Sequence, residues 1–158
     1  MNYQRILVPY DGSEHAKAAF GAARDLALSS DSTTVYVVNV VPMASASAFG
    51  STDPVTGGPS PFVDQEGYAA LFDDALSTIK KEVISDVEGL LDGLPADRVV
   101  ADAVAHPSAA HGIAEYAGDH GCDLIVMGRR GLGAVRGMLG SVSYGVLRCV
   151  DIPVLTVK

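Results

Sequence analysis

The chain has 158 residues, 48% of them apolar, and its eleven Lys and Arg against nineteen Asp and Glu leave a net charge of −8. That length suits one domain, residues 1–158, able to bury about 70% of the surface its unfolded chain exposes. The apolar fraction excludes a disordered chain, the acidic balance argues against nucleic acid and anionic membranes as partners, and no apolar run is long enough to span a bilayer.

Residues 4–9 read as a short buried strand, punctuated by Asp11-Gly12-Ser13. Ser13 is placed as a helix N-cap with Glu14 in the first turn. Ala16, Ala19, Phe20, Ala23, Leu26 and Ala27 follow at helical spacing. Thr33 to Val41 is β-branched and apolar nearly throughout, the pattern of a strand covered on both faces. Residues 42–65 are rich in Ala, Ser, Gly, Pro and Thr and read as a long mobile loop. Phe72, Leu76, Ile79, Val83, Val87 and Leu90 mark one face of a long helix that Gly93 and Pro95 end. Arg98 to Val104 is a strand, and Ala110, Ile113, Ala114 and Ala117 line a helix that stops near Gly118–Gly121. Asp123 to Met127 is the next strand. Val142, Val146 and Cys149 mark the last helix face, and Ile152 to Val157 closes the chain as a strand. The order β-α-β-α-β-α-β-α-β predicts right-handed crossovers and a parallel sheet with helices on both faces.

Ligands of such sheets sit beyond the carboxyl ends of the strands, at a switch point in strand order. Two features fall at such ends. The stronger is Gly128-Arg129-Arg130-Gly131, followed by Gly140-Ser141-Val142-Ser143 at a helix start. Glycine lets backbone N–H groups approach an oxyanion, and a helix N-terminus favours negative charge. In this reading Gly131 and Gly140 allow backbone approach and Ser141 and Ser143 supply hydroxyls. Arg130 or Arg136 adds charge-assisted bonds or is a solvated surface residue. The second feature is Asp11, which suits either ribose hydroxyls or an adenine amine on the one hand, or turn chemistry before the Ser13 cap on the other.

Other chemistry is sparse. His106 and His111 are poorly spaced for one helix face and match no nucleophile, and His15 and His120 read as surface residues. Cys122 and Cys149 have no metal-ligand spacing and read as small buried apolar residues. The start of the chain lacks a signal-peptide pattern, and the expected compartment is the cytoplasm. No P-loop lysine, no Gly-x-Gly-x-x-Gly after the first strand and no general base are visible, which favours binding over turnover.

These pieces together resemble the universal stress protein (UspA-like) family over essentially the whole chain. The resemblance rests on Ile6-Leu7-Val8-Pro9-Tyr10-Asp11-Gly12-Ser13, Val38-Asn39-Val40-Val41, Asp123-Leu124-Ile125-Val126-Met127-Gly128, Gly140-Ser141-Val142-Ser143 and Pro153-Val154-Leu155-Thr156-Val157. It implies a Rossmann-like five-stranded parallel sheet in the order 3-2-1-4-5 and a homodimer paired through the last strand, residues 153–157. It also implies a nucleotide-responsive regulator of stress adaptation that binds ATP or AMP, with Mg2+ on the phosphates and a protein partner downstream. By position, Pro9, Asp11 and the backbone around Val40 would face the adenosine, and Met127 and Gly128 would lie beside the ribose. Arg130, Gly131, Gly140, Ser141, Val142 and Ser143 would surround the phosphates. The family's glycine motif, G-x2-G-x9-G-[ST], is shortened here, because Gly131 and Gly140 enclose eight residues. A tighter loop rather than a lost site is expected, one that holds a triphosphate less well or favours AMP, and the sequence does not choose between ATP and AMP. Two alternatives accompany this reading: slow ATP hydrolysis on the same site, and a dimeric interaction module that binds no nucleotide.

Overall fold

A computed structural model describes residues 3–42, 65–131 and 139–158. Its elements are β1 (Arg5–Pro9), α1 (Glu14–Leu28), β2 (Thr34–Pro42), α2 (Gln65–Glu88), a 3-10 turn (Ala96–Arg98), β3 (Val99–His106), α3 (Ala109–Asp119), β4 (Leu124–Gly128), α4 (Ser141–Cys149) and β5 (Val154–Val157). The expected loop therefore loses both its end residues to β2 and α2, and the rest of it lies outside the described residues.

The five strands form one parallel sheet in the order β3-β2-β1-β4-β5. β1 is central, with Leu7 level with Tyr36 on one side and Ile125 on the other. The chain leaves β1 for β2 on one flank and later crosses to β4 on the other, so the carboxyl ends of β1 and β4 diverge around a crevice.

Each face of the sheet carries its own apolar cluster. Ala16, Ala19, Phe20, Ala23 and Ala27 of α1, with Val83 and Val87 of α2, cover Ile6, Val8, Val35 and Val37. Ile113, Tyr116 and Ala117 of α3, with Val146 of α4, cover Leu7, Val38 and Ile125. Small residues along α1 let the helix lie close to the sheet, and Ser13 caps it as expected, its Oγ accepting from the Ala16 amide at 3.2 Å. Gly12, at φ +76, supplies the left-handed conformation that turns β1 into this cap.

Three sequence expectations are corrected here. Leu26 is exposed, at the edge of the α1 face rather than within it. On α4 the buried residues are Ser143 and Val146, whereas Val142 and Cys149 are exposed. Nine residues give too few apolar positions to define a face, and Ser143 is buried because its hydroxyl finds a partner below the helix. Cys122 is buried as expected, and loss of solvation pushes its thiol up to about 11.

Arg98, read from sequence as the first strand residue, instead ends the 3-10 turn and ties the far ends of three elements. Its Nε donates to the Thr33 carbonyl at 2.9 Å, and one terminal nitrogen donates to the Ala27 and Ser30 carbonyls at 2.8 and 2.6 Å. Two of these acceptors lie at or just beyond the end of α1, where carbonyls lack the regular i+4 amide; that of Ala27 is otherwise met by the Ser30 amide at 3.2 Å. Arg98→Ala is expected to lower stability by about 2 kcal/mol, roughly 4–8 °C in melting temperature. Thermal unfolding of the variant checks it, and an unchanged midpoint would show these bonds to be replaceable by water.

Candidate functional site

The crevice between the ends of β1 and β4 opens into a cavity of about 500 Å3, a volume suited to a small organic ligand. Pro9, Asp11, Val40, Met127, Gly128, Arg130, Gly131, Gly140, Ser141, Val142 and Ser143 all line it. The site residues expected from sequence therefore converge on one cavity, apart from Arg136, which lies outside the described residues.

Its floor is apolar, built from strand ends. Pro9 ends β1 and sits level with Val38 of β2, while Met127 and Gly128 end β4. Ala109 and Ile113, from the first turns of α3, close one side. They, with Tyr10, Asn39 and Leu139, are lining residues that sequence reasoning missed. For Tyr10 and Asn39 the signal was available, since both sit at the carboxyl ends of strands, the side on which ligands of such sheets bind. For the α3 residues it was not, because nothing in the sequence says how α3 leans on β2.

Two groups of polar residues line the cavity. At the β1 end, Asp11 is exposed and its Oδ1 accepts from the Ser13 amide at 3.1 Å, so the turn reading of this residue is satisfied. Its Oδ2 lies against Gly131, where an added Cβ would strike it. The carboxylate thus both shapes the turn and reaches across the crevice to the glycine loop. Tyr10 is occupied elsewhere: its hydroxyl bonds Asp86 Oδ2 at 3.2 Å, and burial beside that carboxylate pushes the phenol well above its usual range.

At the β4 end, α4 begins at Gly140, whose carbonyl accepts from the Tyr144 amide at 2.9 Å. Among the described residues no side chain caps this helix start, and the first-turn amides present positive potential to the cavity. The Gly140 amide donates to the Arg129 carbonyl at 2.9 Å, and the Arg129 amide donates to the Val157 carbonyl at 2.7 Å. Ser143 departs from its expected role. It is 3% exposed, and its hydroxyl donates to the Gly128 carbonyl at 3.0 Å, leaving its backbone amide as what it offers toward the cavity. Ser141 is exposed at the helix start.

The two glycines of the first pair do different things. A Cβ on Gly128 would lie 2.8 Å from the backbone carbon of His15 in α1, so this glycine permits helix against strand. Among the described residues, a Cβ on Gly131 would meet the Asp11 carboxylate and nothing else.

His106 lies outside the cavity lining. Its Nδ1 is 2.7 Å from the Ser108 carbonyl and its Nε2 is 3.3 Å from Glu115 Oε2. Gly112 makes room for it, since a Cβ there would meet His106 and Val40 at 2.7 and 2.8 Å. His120 is not a plain surface residue, because its ring stacks on Tyr116 at 3.9 Å and bonds the Tyr116 carbonyl. Among the described residues no three His, Cys, Asp or Glu side chains gather as a metal site. No described helix is long and apolar enough to cross a membrane.

An open parallel sheet with a ligand-sized cavity at its switch point, walled by a glycine-serine helix start, defines a doubly wound α/β protein. The model of the universal stress protein family matches residues 2–158, and the chain belongs to that family. It is 32% identical to a universal stress protein of Methanocaldococcus jannaschii, over 99% of this chain and 82% of that one. Among solved structures it resembles UspA of Lactobacillus plantarum, with a TM-score of 0.73, 22% identity and coverage of 100% and 99% of the two chains. It also resembles the universal stress protein of Archaeoglobus fulgidus in complex with dAMP, with a TM-score of 0.57, 21% identity and full coverage of both chains.

Proposed function

We propose that this chain binds an adenine nucleotide, ATP or AMP, in the cavity at the β1–β4 crevice and acts as a nucleotide-responsive regulator in stress adaptation. The observation that carries the reading is the pairing, in one cavity, of a helix start at Gly140, with no side-chain cap among the described residues, and a carboxylate at Asp11, over an apolar floor. A nucleoside phosphate has matching parts: an anion for the amides, hydroxyls for the carboxylate and a flat apolar base for the floor. The dAMP complex of a fold relative supports an adenine ligand.

In this reading Asp11 accepts from the ribose hydroxyls, the backbone around Val40 meets the base, and Pro9, Met127 and Gly128 bound the nucleoside. Arg130, Gly131, Gly140, Ser141 and the backbone of Val142 and Ser143 surround the phosphates. Mg2+ would arrive on the phosphates, since the described residues build no site of their own for it. Self-association through β5 belongs to the same reading. Leu155 on this edge strand is 42% exposed, and Tyr144 on neighbouring α4 is 57% exposed. An open edge with apolar side chains is a template for pairing with a second copy. Nucleotide bound only by the folded state then stabilises it by mass action.

The test is to denature freshly purified protein and identify the small molecules it releases by mass spectrometry. Stoichiometric ATP or AMP is the expected result. A protein that releases neither, and that gives no heat with added ATP or AMP, would leave the dimeric interaction module as the reading.

A further inference from the structure

β2 reads Thr-Val-Tyr-Val-Val-Asn-Val-Val-Pro, so one carboxamide, Asn39, interrupts a strand of β-branched and aromatic residues. Nothing about the sheet asks for it. Asparagine is a poor strand former, and a half-buried amide without a partner costs stability. Asn39 is half-buried, lines the cavity and makes no side-chain hydrogen bond among the described residues. A residue that breaks the local rule with no compensating contact marks a functional position.

Its place in the strand is informative. Asn39 continues the alternation of Val35 and Val37, both fully buried under α1, and it stands where that face gives way to the cavity. The Tyr10 amide donates to the Val38 carbonyl, which sets the end of β1 and Asp11 beside this last part of β2. Of the polar side chains at this end, Tyr10 is held by Asp86 and the Asp11 carboxylate only accepts. Pro9, Val38, Val40, Pro42 and Ile113 are apolar. Asn39 is thus the one described side chain at the nucleoside end that offers a free donor and a free acceptor together.

We infer that Asn39 selects the base, taking a 6-aminopurine over a 6-oxopurine. This rests on the nucleotide reading above. A carboxamide and an adenine edge match in two bonds: Oδ1 accepts from the exocyclic amine, and Nδ2 donates to N7. A 6-oxopurine has acceptors at both positions. Turning the amide over then satisfies the exocyclic oxygen but sets Oδ1 against N7, so either orientation leaves one acceptor facing another. Such a bidentate match discriminates by roughly 10-fold to 100-fold.

The experiment is calorimetric titration of the full chain with AMP and with IMP, for the natural protein and for Asn39→Val, with a melting temperature for each. The natural protein is expected to favour AMP by at least about tenfold. Asn39→Val is expected to bind both with similar affinity while melting no lower than the natural protein, because valine suits this strand better. Should that variant not fold, Asn39→Ser, which has one hydroxyl and cannot make the paired bonds, carries the same expectation. A variant that keeps the natural preference overturns the assignment of Asn39 and leaves the nucleotide reading standing. So does a natural protein that binds AMP and IMP equally. A natural protein that binds neither overturns both.

Discussion

Gly131→Val is expected to weaken AMP or ATP binding on the order of 100-fold, about 2.8 kcal/mol, while the chain still folds. The reason lies in what an added side chain would meet. A Cβ at Gly131 would strike Asp11 Oδ2, the end of a side chain and not backbone, and the residue itself is exposed. Folding can accommodate this by swinging the carboxylate aside, at the expense of the Ser13 amide bond that now holds Oδ1. Binding cannot. The displaced carboxylate would no longer stand at the nucleoside end, and a branched side chain would occupy space where backbone is to approach phosphate. Calorimetry reads the affinity and thermal unfolding reads the fold. Full affinity in Gly131→Val would mean that the phosphates lie elsewhere and that the glycine pair is not the cradle. Gly131→Ala should fall between, since it displaces Asp11 but adds no branch.

The sheet was legible in the sequence because its signals are local. The apolar run of β2, the Ser13 cap and the spacing of Ala16, Ala19, Phe20 and Ala23 each need only neighbouring residues to be read, and each stands as expected. The crevice followed from the strand order that the family resemblance implied, which places Asp11 and Gly128 at adjacent carboxyl ends. What escaped depends on contacts distant in the chain. Arg98 looked like the start of a strand, but its role is set by carbonyls of Ala27, Ser30 and Thr33. β3 runs on to His106 rather than stopping at Val104, because β2 extends to Pro42 and offers it a partner. Ser143 looked like a hydroxyl aimed at a ligand, and only the packing of α4 over β4 reveals the Gly128 carbonyl beneath it. Asn39 was visible as an oddity in β2, yet no rule of periodicity gives an oddity a purpose.

Gly128 offers the sharper separation of fold from function within the same motif. Its strand is buried throughout, and a Cβ there would lie 2.8 Å from the carbon and 2.9 Å from the oxygen of the His15 carbonyl. Those are backbone atoms in the first turn of α1, so no side-chain rotation relieves the contact. Either α1 lifts away from β4, loosening Ala16 and Ala19, which are almost wholly buried, or β4 shifts. A shift of β4 would strain the Arg129–Val157 and Ser143–Gly128 bonds beside it. Overpacking against unyielding neighbours costs up to about 3 kcal/mol, so Gly128→Ala is expected to melt roughly 6–12 °C lower than the natural protein. Gly131→Ala, one turn of loop away, should melt at nearly the natural temperature. Adding nucleotide should raise the melting point of Gly128→Ala, since its carboxylate and helix start are intact, and should raise that of Gly131→Ala much less. If instead Gly128→Ala is fully stable and fails to bind, then the strand glycine is there for the ligand, and the close approach of α1 is a consequence of its small size and not the reason for it.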